Sequence, residues 1–148
     1  MSRVAAEHRP RHIARQRAAQ ALYQLQINPD TPRAVVEQFL ATQDFTSVDA
    51  EYFRELVIRA GNQQEAIVNQ CAPHMHIPWG QLDAMERAIL ALAWVELAEQ
   101  MQIPVKVVIN EAVELAKRFG AEQSHTFING VLDRLARHLR ALEAASLR

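Results

Sequence analysis

Apolar positions recur with a helical period along nearly the whole chain. Ala14, Ala18, Ala21, Leu22 and Leu25 form one stripe, which predicts a first helix from about Pro10 to Ile27 with the proline at its first position, where a missing N–H does no harm. Asn28-Pro29-Asp30 closes it. Thr31 and Pro32 then supply an N-cap and a first-turn proline for a second helix through Val35, Val36, Phe39 and Leu40. Thr46 and Ser47 are expected to open a third, with Tyr52, Phe53, Leu56 and Val57 on its buried side and an extension toward Ile67 and Val68. Gly61 weakens or bends that element.

The clearest break is Cys71 to Gly80, CAPHMHIPWG. It reads as a connector between an N-terminal helical subdomain of about 1–72 and a C-terminal one of about 81–142, within a single domain 1–148. Beyond it, Asp83 and Glu86 have capping-box spacing. The stretch MERAILALAWVELAEQM is apolar on almost every side, the mark of a central, buried helix. Ile103-Pro104 starts an amphipathic helix through Val105, Val108, Ile109, Ala112, Val113, Ala116 and Phe119, which Gly120 is expected to end as a C′ residue. Ser124 is expected to cap a last helix striped by Ile128, Val131, Leu132, Leu135, Leu139 and Leu142. No alternating strand pattern occurs. The fold class is therefore all-α, six or seven helices in two small packed bundles.

Composition agrees: 148 residues, 49% hydrophobic, 22% charged, four Gly and six Pro are values of a globular, turn-poor chain. The one cysteine, Cys71, cannot build a disulfide framework and fits a reducing compartment. With neither a secretory h-region nor an apolar run of membrane-spanning length, a cytoplasmic location is expected and no membrane partner. The net charge of −1 hides an asymmetry: residues 1–27 sum to +4, 28–130 to −7 and 131–148 to +2. A basic end on an acidic body is either a localised anion-binding patch or a solvated terminus.

Enzyme motifs are missing: no glycine-rich phosphate loop, GxSxG or HExxH occurs. Cys71, His74 and His76 lack the second ligand pair of a structural zinc site. His8 and His12 have the i, i+4 spacing of a two-histidine metal face, but five arginines surround them, and further phosphate contacts are the better reading. Glu111 and Glu114 are read as a solvated face with local ion pairs to Lys117 and Arg118. The expectation is a non-enzyme with no metal and no cofactor.

The stronger signal is the N-terminal basic segment. Arg3, Arg9, Arg11, Arg15 and Arg17 are all arginine, not lysine; the guanidinium fork binds phosphate bidentately and stacks on bases. Arg11 and Arg15 lie one turn apart, the spacing needed to track a backbone. Tyr23 points away from the alanine stripe, near Gln16 and Gln20. There it either stacks a base or seats a partner, or it is buried by a second helix.

These residues resemble the NusB family. RHIARQRAAQALYQLQ is similar to the family's first helix, DAEYFRELV to its third, and IPVKVVINEAVELAKRFGAEQSHTFINGVLDRL to its most specific signature, so the likeness runs over about residues 10–137. The resemblance implies two small helical bundles and a partner, NusE, a small-subunit ribosomal protein. It implies that the pair binds a boxA-type single-stranded RNA and joins an antitermination complex on RNA polymerase during ribosomal RNA synthesis. By position Arg11, His12, Arg15 and Gln20 match the RNA-facing first helix, with Arg3, Arg9 and Arg17 as added basic contacts. Tyr23, Glu86 and Phe127 match the NusE surface. His12 and Ile13 interrupt the family's Arg run, Arg59 replaces a common Gly, Ala91 a frequent Arg, and Gln123 a frequent acid. Two alternatives stand beside this reading. One is a homo-oligomeric (homodimeric) helical protein with a masked RNA site. The other is a detached domain related to rRNA cytosine methyltransferases, for which a chain ending at Arg148 leaves no catalytic domain.

Overall fold

The computed structural model describes the backbone of residues 3–141 and the side chains of 8–141. Leu142 and the side chain of Arg3 lie outside those described residues. Among the described residues there are seven α-helices: α1 (Arg3–Ile27), α2 (Pro32–Thr42), α3 (Ala50–Gly61), α4 (Gln64–Cys71), α5 (Ala84–Glu99), α6 (Val105–Phe119) and α7 (Ser124–Leu139). Two 3-10 turns, Ala72–His74 and Trp79–Gln81, fill the connector. Among the described residues there is no strand. One bundle is built around α1, α2 and α3, the other from α5, α6 and α7, and α5 packs against α1 and α3 to join them.

The first helix starts earlier than its pattern predicts, at Arg3, and Pro10 lies inside it. The Pro10 carbonyl accepts the Asp49 amide at 3.1 Å, which ties this point of α1 to the start of α3. Ala14, Ala18, Ala19 and Ala21 are fully buried, and their small side chains let α1 approach α3 and α5 closely.

Caps set the other boundaries. The Thr31 hydroxyl accepts from the Ala34 amide at 3.1 Å, with Pro32 in the first turn, as the sequence predicts. The third helix opens at Asp49, whose carboxylate accepts from the Tyr52 amide at 3.0 Å. Thr46 is instead bound by its own amide and hydroxyl to Asp44, so neither Thr46 nor Ser47 is the cap. The predicted long third element is two helices, and Ile67 and Val68 belong to α4. Gly61 ends α3 where a Cβ would lie 2.5 Å from Pro32 Cγ, so only glycine admits the start of α2.

Asp83 and Glu86 form the full capping box of α5, and this helix is buried on most sides, from Ala88 to Leu97 with Ala91 half-buried. Its C-terminal carbonyls meet Arg140: the guanidinium donates to Leu97 O at 2.9 Å, Glu96 O at 2.8 Å, Gln100 O at 2.9 Å and also to Ile103 O. A buried cation on the orphan carbonyls of a helix end satisfies them and opposes the helix dipole. Two further sequence expectations are corrected. Gly120 closes α6 in extended backbone (φ −89°, ψ 173°), not as a left-handed C′ residue, and it is required because a Cβ would lie 2.7 Å from Ala116 O. Ser124 is the first residue of α7, not its cap, and its hydroxyl donates to Glu86 at 3.0 Å.

Candidate nucleic-acid interface and partner surface

Three charged residues lie on apolar helix faces and meet inside the molecule. Arg15 continues the Ala18, Ala19, Leu22 face of α1; Glu96 lies in the apolar body of α5; Glu111 lies among Val108, Ala112 and Leu115 of α6. Arg15 Nε donates to both Glu96 oxygens, at 2.9 and 3.1 Å. Its Nη1 lies 3.3 Å from Glu111 Oε1, at an angle that makes no hydrogen bond. The Tyr52 hydroxyl donates to Glu96.

Burial opposes the Arg15 charge, but Glu96 first, then Tyr52 and Glu111, outweigh it and raise the guanidinium's pKa. Burial, and then the Glu96 carboxylate, push the Tyr52 phenol well above its ordinary range, so it remains a donor. Arg15 therefore does not face RNA as expected from its spacing. Its side chain is 3% exposed, and it joins α1 to α5 and α6. Glu111, read from the sequence as a solvated carboxylate, is likewise buried, whereas Glu114 does sit on an exposed face 4.0 Å from Lys117.

Among the described residues, the other expected RNA residues reach the surface to differing extents. Arg9 and Gln20 are exposed. Arg11 lies over the Tyr52 ring at 4.2 Å and 3.6 Å from Asp49 Oδ2, with 41% of its side chain exposed. Arg17 donates to Asp44 O at 2.9 Å and stacks 5.1 Å from the Phe45 ring. These contacts hold both guanidinium groups over aromatic rings, which limits the rotamer freedom lost on binding an anion. His12 Nδ1 is 2.7 Å from Glu111 Oε2.

Arg9, Gln16, Gln20 and Tyr23 are spaced i, i+7, i+11 and i+14, so they line one outward ridge of α1. Tyr23 is 41% exposed. Of the two open readings of Tyr23, burial by a second helix is set aside. Glu86 and Phe127 are half-buried; Phe127 packs against the core, while Glu86 is held by the capping box and by Ser124. Cys71 is fully buried, and burial pushes its pKa up to about 12. Arg59, at a departure from the family pattern, pairs with Glu55 at 3.2 Å and Glu99 at 3.3 Å.

Comparison with known proteins decides the family. The NusB family model matches residues 12–137. The chain belongs to the NusB family. Among its relatives are the transcription antitermination proteins NusB of Alcanivorax borkumensis, 45% identical over 93% of this chain and 92% of that one, and of Pasteurella multocida, 44% identical over 86% and 88%. The solved NusB of T. maritima superposes with a TM-score of 0.76 at 30% identity, covering 86% of this chain and 91% of its own. A crystal structure of the antitermination factors NusB and NusE in complex with double-stranded RNA matches with a TM-score of 0.73 at 27% identity, covering 88% and 98%. This NusB-family chain thus shares an all-α fold with its solved relatives across nearly its whole described length. Among the described residues no helix is long and apolar enough to cross a membrane.

Proposed function

We propose that this protein is a transcription antitermination factor that pairs with NusE and binds boxA-type single-stranded RNA, joining the antitermination complex on RNA polymerase to support ribosomal RNA synthesis in the cytoplasm. The observation that carries the reading is the continuous ridge of α1, with Arg9 and Gln20 leading to Tyr23. At 1.5 Å rise per residue the ridge is ~20 Å long, so an RNA strand at its start and a protein at its end would be neighbours. Arg9, Arg11, Arg17 and Gln20 are assigned to RNA, and Tyr23, with the edge of Phe127 and Glu86, to NusE; the ring nitrogens of His12 are directed to Glu111 and Gln16 instead. Arg15 supports this surface from beneath it.

We assign no catalysis to the protein. The Cys71 thiol is sealed in the core, and the buried carboxylates Glu96 and Glu111 are tied to Arg15. The function is that of an adaptor. Size-exclusion chromatography with light scattering, run on the protein alone, with NusE and with NusE plus boxA RNA, tests the assembly. A 1:1:1 complex is expected. A homodimer that excludes both partners would replace this reading with the masked-site alternative.

A further inference from the structure

The N-terminal histidines have a third companion that sequence spacing does not reveal. His8 Nε2 lies 3.3 Å from Glu111 Oε1, and His12 Nδ1 lies 2.7 Å from Glu111 Oε2. The three donor atoms lie within 4.8 Å of one another. The two rings are near-parallel, with centroids 5.9 Å apart. We propose that His8, His12 and Glu111 form a binding site for a divalent cation of borderline softness, zinc above all, bridging the start of α1 to α6.

Four observations support the site. First, the donor set is two imidazoles and one carboxylate, the composition of three-ligand zinc sites that leave a fourth position open to water. Zn–N and Zn–O bonds of ~2.0–2.2 Å put tetrahedral donors ~3.3 Å apart, so small side-chain rotations suffice. Second, the buried cluster carries one guanidinium, Arg15, against two carboxylates, Glu96 and Glu111. A surplus buried negative charge needs a cation, and Glu111 turns its oxygens toward the histidines. Third, the nearby arginines are drawn toward other acceptors: Arg15 Nε is bound by Glu96 and Arg11 faces Asp49 and the Tyr52 ring, while Arg15 Nη1, 3.3 Å from Glu111 Oε1, leaves the Glu111 Oε2 edge to His12. Fourth, the other ring nitrogen of His12 lies 3.4 Å from the Gln16 side-chain amide. A half-turn of that amide puts its oxygen there to accept Nε2–H, the outer-sphere contact that orients a metal-binding imidazole.

Protons compete for the same nitrogens, so zinc affinity should fall as pH is lowered. Isothermal calorimetry of the tag-free full chain with Zn²⁺ tests the proposal. One ion per chain is expected. His8→Gln and His12→Gln should each weaken binding at least ~10-fold, while His74→Gln and His76→Gln leave it unchanged. Glu111→Gln also frees Arg15 and can destabilise the fold, so the test rests on His8, whose side chain is 56% exposed. Zn²⁺ should also raise the melting temperature of the parent but not of His8→Gln. Absence of micromolar zinc binding by the parent would overturn the site. So would His8→Gln and His12→Gln variants that bind as tightly as the parent, or loss of binding in His74→Gln or His76→Gln.

Discussion

Arg15 and Glu96 stand 81 positions apart in the chain and face each other in the core, with Nε 2.9 Å from one carboxylate oxygen and 3.1 Å from the other. The pair fixes the first helix against the central helix of the second bundle. Removing one partner of a buried ion pair leaves the other uncompensated, at a cost of ~3–5 kcal/mol. Arg15→Ala should therefore lower stability by about that amount, measured by urea unfolding. Arg15→Lys should recover only part of the loss, since an ammonium cannot fork across the carboxylate.

Salt dependence separates this buried arginine from the exposed ones. If Arg9, Arg11 and Arg17 contact phosphates, three contacts to a single strand give a log–log slope of about −2. Arg15→Ala, corrected for any unfolded fraction, should keep that slope, and Arg11→Ala should reduce its magnitude by ~0.7. A parent slope near zero would rule out the electrostatic patch.

The partner surface is best tested at Tyr23. The residue is 41% exposed, so Tyr23→Asp should leave the fold intact and weaken NusE binding by ~2 kcal/mol, the scale of a hot-spot loss. Calorimetry gives the number. Phe127→Asp should weaken NusE as well, with a lowered melting temperature because the ring packs on the core. Glu86 is a poorer probe, since it closes the capping box of α5 and binds Ser124. An unchanged NusE affinity in folded Tyr23→Asp would remove Tyr23 from the surface.

Cys71 should be inert in the folded protein. It is fully buried, and burial raises its thiol pKa to about 12, so the reactive thiolate is scarce at neutral pH. Alkylation by iodoacetamide should be far slower than in urea. The raised pKa also means that the thiol's contribution to stability is whole below the unfolded-state pKa and is lost as pH rises toward about 12. Equal alkylation rates in native and denaturing conditions would contradict the burial.

Local signals were legible where the chain makes short-range contacts. The Thr31–Pro32 start of α2 and the Asp83–Glu86 box of α5 are read directly from neighbouring residues, and the apolar run of α5 announces its burial. The start of α3 is not legible from neighbouring residues because Thr46, Ser47 and Asp49 are all good caps, and only the fold selects Asp49. The site was less legible. An arginine near other arginines reads as part of a basic patch, yet Arg15 shares a helix face with Ala18, Ala19 and Leu22. Glu111 likewise shares one with Val108, Ala112 and Leu115. A single charge on each of several apolar faces was the available signal for a buried network. Which charges meet is set by packing between helices far apart in sequence, which helical periodicity does not encode.

On the proposed reading, the exposed Arg9 region of α1 reads boxA RNA while the far end of the helix holds NusE. The most direct measurement is a fluorescence-anisotropy titration of labelled boxA RNA and a scrambled control, with and without NusE. The protein with NusE should bind boxA more tightly than either alone and more tightly than it binds the scrambled strand. Arg9→Ala with Arg11→Ala should weaken that binding at least ~10-fold, from charged contacts worth ~1.5–3 kcal/mol each, while the NusE complex stays intact. Equal binding of boxA and scrambled RNA, no effect of NusE, and an unchanged affinity in the double variant would contradict it.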